Sequence, residues 1–354
     1  RALGRPDHID LDWLDATYLA RQRFLYEQFG AYGIGEAEPV LNATYLARVM
    51  PYHTALLPIA MGMKATIKAV GGWNWHPLPE EQLCHLQPVY LAQSPMGELL
   101  LQERERMLAR YGVATQFVDF GSPANNAFML RGNEFYADLI ADKELARRYL
   151  EPITETICLA YRFLCEQFEP IEGFPLGNCN VVMMSPAVYM DTIREYDIRC
   201  VHYAADLQGK PPLCDLHHCD VKTEPFAEAY AAIPGLRSLQ GSYLSDLRRI
   251  HEVLPQVAFS AMVSPVHLLH RTPAEIDREL ERCLRDGVHD LAIWNIDMRF
   301  GPERVLDLLE RICALAAAHG REAAFSVMPF SWEEMDWEFP RYRSDFQLGQ
   351  ELRT

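Results

Sequence analysis

Two spacings of apolar residues divide this chain. Near its start, DHIDLDWLDATYLARQRFLYEQFG places apolar side chains three and four residues apart, the period of an amphipathic helix. ALLPIAMGMKATIKAVGG reads as an apolar helix closed by a glycine pair, WNWHPLPEEQLCHLQP as a Pro-rich aromatic loop, and ELLLQERERMLARYG as a helix ending on glycine. Further on a rhythm sets in. Short apolar runs, several with β-branched residues (ATQFVDF, CNVVMMSP, PPLCDLHHC, LRSLQGS, VAFSAMVSP, DLAIWNID, AAFSVMP), alternate with longer helical ones, such as FYADLIADKELARRYLEPITETICLAYRFLCEQF, AVYMDTIREYDIRCVHYAADLQG, YLSDLRRIHEVL, PAEIDRELERCLRDG and GPERVLDLLERICALAAAHG.

Strand–helix alternation predicts an α/β fold with a mostly parallel sheet. Seven such runs, with an eighth strand near the N-terminus, favour a closed (β/α)8 TIM-type barrel; an open doubly wound sheet would give the same alternation. The expected organisation is one structural domain, with an N-terminal helical segment (1–100) packed on a barrel (101–354). Several strand candidates end in polar or turn groups: FGSP, MMSP, LHHCD, QGSY, MVSP, NIDM. In a barrel these ends and the loops after them build the active site. Ser-Pro and Gly-Ser also simply stop strands and cap helices, the commoner use.

Charge narrows the function. The net charge is −16 with a pI of about 5.2, so the chain lacks the basic balance that nucleic acid or an anionic membrane surface requires. No apolar run approaches the roughly 20 residues of a membrane span. No leader is visible ahead of the first helix, though the chain opens on Arg1 and leaves an upstream segment open. Nine scattered cysteines point to a reducing cytoplasm, with thiols free or on a metal. Phosphate-cradling loops, nucleophile elbows and CxxC pairs are absent.

The sharpest local signal is PPLCDLHHCD, residues 211–220. On a strand, Leu213, Asp215, His217 and Cys219 would share one face, and His218 would point the other way. Imidazole and thiolate a few ångströms apart suit a soft divalent metal, and a catalytic zinc keeps about three protein ligands and one open position. The spacing alone is not decisive: 12 His and 9 Cys give about 0.3 His-x-Cys pairs by chance. The blander reading is a buried thiol and a hydrogen-bonded imidazole. A third ligand should come from another strand end. DLAIWNID offers Asn295 and Asp297 on one face, with Asp297 near the end. Asp297 would equally serve as a helix cap before GPERVLDLLERI. Trp73, Trp75 and Trp294 would line an apolar pocket or fill the core.

Several segments resemble the uroporphyrinogen decarboxylase superfamily. They are GSPANNAFMLRGNEFYADLIADKELARRYLEPI, NVVMMSPAVYMDTI, LCDLHHCD and LRSLQGSYLSDLRRIHEVLPQVAFSAMVSPVHLLHRTPAEIDRELERCLRDG. The likeness spans roughly residues 100–320, and LCDLHHCD resembles the H-x-C strand of the methylcobamide:coenzyme M methyltransferases. It implies the barrel and a zinc-dependent corrinoid methyltransferase. His217 and Cys219 would be zinc ligands, completed by Asp297 because the later cysteine of that branch has no counterpart in WNIDMRFGPE. Asn126, Asn180, Met183, Trp294 and Asn295 are the residues expected to contact substrate. A zinc with one thiolate and a carboxylate would be the harder Lewis acid, suited to an ether or alcohol oxygen. No D-x-H-x-x-G corrinoid signature is present, so the corrinoid (cobalamin) would arrive on a partner protein. The expected partners are that corrinoid protein and a small-molecule methyl donor or acceptor (a methoxylated aromatic, alcohol, amine or thioether), and a homodimer is allowed.

Two other readings compete. A decarboxylase-type lyase would act on a tetrapyrrole-like acid, but its arginine-bearing RQAGR motif is replaced by ARVMPYHTALL. A barrel retained as a binding protein would show no metal and no methyl transfer.

Overall fold

The computed structural model describes residues 10–49, 53–67, 73–116, 120–219, 222–293 and 301–325. The first helix, Leu11–Phe29, starts where the periodicity predicts. The Asp10 side chain caps it by accepting from the Asp12 and Trp13 amides, and Leu14 and Tyr18 enter the core. Asp15 on the same helix is half of a tie to helix Pro95–Tyr111: the Tyr111 hydroxyl and the Arg110 guanidinium donate to it at 2.6 and 3.1 Å.

The strands are β1 (Arg48–Val49), β2 (Lys64–Ile67), β3 (Trp73–His76), β4 (Thr115–Gln116), β5 (Phe174–Gly177), β6 (Cys214–His217), β7 (Leu236–Ser242), β8 (Ala258–Val263) and β9 (Asp290–Ile293). β1 pairs with β4 in parallel, and β2 with β3 antiparallel. This corrects two expectations. Among the described residues of ALLPIAMGMKATIKAVGG the helix covers Leu56–Ala60 and β2 follows, since Gly62 at φ +104 breaks the helix. The aromatic stretch from Trp73 is a strand rather than a loop, and a helix follows it at Glu80–Cys84.

The remaining strands form one parallel sheet in the order β5-β6-β7-β8-β9, each beside its neighbour in sequence. Helices Pro186–Thr192 and Arg194–Gln208 carry the chain from β5 to β6, and helix Leu247–Val253 carries it from β7 to β8. Register is set in part by glycines. Gly235 precedes β7 at φ +67, where a Cβ would lie 1.9 Å from the Pro212 carbonyl oxygen. Only glycine lets this turn press against the entry to β6. A bulge follows: Cys214 pairs with Leu236 but Asp215 with Ser238, so Arg237 bulges between them and binds Asp215 at 2.7 Å.

Ser122, Ser185 and Ser94 each precede a proline at the first helical turn and accept a backbone amide proton with the side chain. Most strand-end Ser-Pro pairs are therefore helix starts. The fold is mixed α/β with a parallel sheet. Among the described residues no ladder joins the β1–β4 pair to the five-stranded sheet, so the eightfold closure expected from sequence is not shown.

Candidate metal centre

The centre is assembled from two adjacent strand ends. β5 lies where the sequence pattern did not place it: the strand is FPLG, and CNVVMMSP after it is a turn and a 3-10 helix, Asn180–Met183. β5 runs in register with β6, Gly177 opposite His217, and the Asn178 amide donates to the His217 carbonyl at 2.8 Å. The next residue, Cys179, is thereby delivered to the side of His217. Both neighbours of Cys179 are anchored. The Asn178 side chain donates to Asp197 at 3.0 Å, and the Asn180 amide donates to Asn125 Oδ1 at 2.8 Å.

β6 ends at His217, and Cys219 follows two residues later on the same side. One ligand atom from each of Cys179, His217 and Cys219 lies within 4.8 Å of the other two, and all three side chains are half-buried. Tetrahedral zinc with bonds of about 2.3 Å to sulfur and 2.0 Å to nitrogen needs ligand atoms roughly 3.5–3.8 Å apart. The three donors therefore fit zinc after about an ångström of closure, well within side-chain rotation. Two thiolates and a neutral imidazole are a typical zinc donor set, with a fourth position left for substrate.

Neighbouring strands hold the imidazole. His217 Nδ1 lies 2.8 Å from Gln240 Oε1, its register partner on β7. With the amide oxygen as acceptor, Nδ1 carries the proton and Nε2 keeps the lone pair, the arrangement expected of a ligating histidine. His218 turns the other way, as strand alternation requires. It is fully buried, with Nδ1 2.7 Å from the Tyr230 hydroxyl and its ring packed on Phe226. Burial, then the neighbouring His217, pushes its pKa down to about 3, so it stays neutral. Asp215 is occupied elsewhere, by Arg237 and Ser238.

The other predicted site residues are placed as follows. Asn180 sits on the turn after Cys179, and Met183 follows at 69 % exposure. Asn126 is buried and donates to the Phe120 and Ser122 carbonyls at 2.6 and 2.9 Å. Trp294, Asn295 and Asp297 lie outside the described residues. Sequence reasoning missed Cys179 and Gln240. The usable signal was FPLGNCN: reading FPLG as the strand puts NCN at its C-terminal end, level with HHC on the next.

The architecture defines a known kind of α/β fold. It is similar to that of a methyltransferase from Methanosarcina mazei, with a TM-score of 0.55 and 18 % identity, over 84 % of this chain and 98 % of that one. At that identity the likeness shows the fold. No family model matches the chain, and no curated protein matches it. No described helix is long and apolar enough to cross a membrane.

Proposed function

We propose that the chain is a zinc-dependent methyltransferase on a barrel-type scaffold. It would move a methyl group between a small methylated substrate and the cobalt of a corrinoid carried by a partner protein. The observation that carries this reading is the convergence of Cys179, His217 and Cys219 at the ends of β5 and β6. The fold shared with a solved methyltransferase supports it, and so does the H-x-C strand resemblance.

Cys179 changes the chemistry expected of the site. With Asp297 as third ligand the metal would be hard and suited to oxygen. With two thiolates and an imidazole its formal charge is neutralised and its preference moves towards soft donors. When bound, zinc would supply Lewis acidity at the substrate heteroatom, holding the lone pair that gains or loses the methyl group. Among the heteroatoms open from sequence, this donor set favours sulfur, a thiol or thioether. The protein residues divide the remaining work. The Asn178 and Asn180 anchors fix the Cys179 turn, Gln240 orients His217, and the exposed Met183 lies beside the turn.

Metal analysis comes first. About one zinc per chain, lost in both Cys179→Ala and Cys219→Ala, is the expected result. A donor and acceptor screen then follows, with cob(I)alamin or methylcobalamin read by the cobalt absorption change. Activity with a methylthio or thiol compound supports the reading. A metal-free wild-type chain, or a chain inert to every methylthio, methoxy and methylamino compound, refutes it.

A further inference from the structure

Behind the Cys179 turn lies a polar cluster closed to solvent. Asn178 at the end of β5, Tyr189 on helix Pro186–Thr192, Asp197 on helix Arg194–Gln208, His218 and Tyr230 are all 0 % exposed. Asp197 Oδ2 accepts two hydrogen bonds, from Asn178 Nδ2 at 3.0 Å and from the Tyr189 hydroxyl at 2.8 Å. One oxygen on each partner is left over: Asn178 Oδ1 and Asp197 Oδ1 are buried and accept nothing. The titratable groups that face Asp197 are Tyr189, Tyr230 on helix Ala227–Tyr230, Cys200 on its own helix and Cys214 on β6. None of them is cationic, and no cation is among the groups acting on the carboxyl.

An ionised carboxylate here would be a buried charge with two neutral donors and no counterion. A protonated one removes the charge and adds a donor. A carboxylic acid and a carboxamide already joined by one N–H···O bond can close a second, O–H···O bond edge to edge. A single proton would then serve both leftover oxygens. We propose that Asp197 is held as a neutral carboxylic acid paired edge to edge with Asn178, and that it is a positioning residue for Cys179. Burial, the dominant influence, pushes this carboxyl up to about 7, against smaller opposing effects from Asn178 and Tyr189.

The positioning argument rests on the reading of Cys179 as a metal ligand. The Asn178 backbone is tied to β6 and its side chain to helix Arg194–Gln208, so the acid–amide pair locks the residue before Cys179 in three dimensions. Without the pair the side chain of the residue before Cys179 loses its tie, and the turn is held by its strand contact and by the Asn125 and Tyr136 bonds at Asn180.

Infrared spectroscopy with 13C-carboxyl aspartate and Co(II) titration test the proposal together. At pH 6 the wild type is expected to show a protonated carboxylic C=O band that is absent in Asp197→Asn. That variant is expected to retain the wild-type Co(II) spectrum and affinity, because its amide presents N–H where the acid presents O–H. Asp197→Leu fills similar space with no hydrogen bond, and its Co(II) affinity is expected to fall about tenfold or more. Absence of the band at pH 6, or an Asn variant that loses metal as fully as the Leu variant, overturns the proposal. If the Leu variant does not fold, the band and the Asn variant decide. A wild-type chain that binds no metal refutes the metal reading and the positioning role with it, while the band still decides the protonation.

Discussion

Asp197→Asn also makes a quantitative stability test. The carboxyl has an ordinary pKa of 3.8 and is raised to about 7 in the fold. The folded state therefore binds a proton that the unfolded chain releases between these values, so stability falls as pH rises through that window. The contribution is intact below about pH 4, declines between about 4 and 7, and is fully lost above. About three pKa units at 1.36 kcal/mol each give a loss of about 4 kcal/mol, an upper limit that relaxation and water entry would reduce. The amide cannot ionise. The variant and the wild type should thus be about equally stable at pH 4, and the variant should gain by up to about 4 kcal/mol at pH 8. For a chain of this length that corresponds to roughly 5 °C in melting midpoint. Urea midpoints of both proteins at half-unit pH steps give the measurement. Taking the difference cancels every group the two share, including His218, whose charging in acid acts in the opposite direction. A difference that is flat with pH, or that favours the wild type at pH 8, would refute the reasoning.

Three further outcomes follow from the geometry. Gln240→Leu removes the acceptor at His217 Nδ1 and should weaken zinc binding about 10- to 100-fold in a chelator competition, with little change in melting midpoint. Tyr230→Phe leaves His218 Nδ1 buried without its hydroxyl partner and should cost about 1–3 kcal/mol by urea denaturation. Gly235→Ala drives a Cβ into the Pro212 carbonyl at a positive φ and should destabilise by about 2 kcal/mol or more. A neutral alanine there would mean that the β6–β7 register is not set by this turn.

Much of the architecture could be read from the chain, and the reasons for the exceptions are physical. Helix Leu11–Phe29 carries a helical period, and β6 to β9 lie in short apolar stretches set between helical segments, so pattern and tertiary structure agree. β5 does not: Phe174-Pro175-Leu176-Gly177 contains a proline and a glycine, both poor strand formers. It is a strand because β6 supplies the pairing. The Phe174 and Asn178 amides donate to β6, and these residues alternate with Pro175 along the strand, so Pro175 has its missing N–H on the opposite edge. Misplacing β5 by one segment hid Cys179. The H-x-C pair was visible because its members lie two residues apart in one segment, at and just past the end of β6, whereas the third donor follows the end of the neighbouring strand, β5. Gln240 was equally hidden, since its link to His217 depends on a register set by the bulge at Arg237.

The position of Cys179 has a consequence for how such centres are found. On the proposed metal reading, the second thiolate, Cys179, precedes H-x-C along the chain and is contributed by a different strand end. Strand ends around one rim are spatial neighbours whatever their order of synthesis, so a donor can migrate from one end to the next while the ion's surroundings stay constant. A pattern written as an ordered string of residues would pass over this protein, while a template of donor atoms on adjacent strand ends would retrieve it.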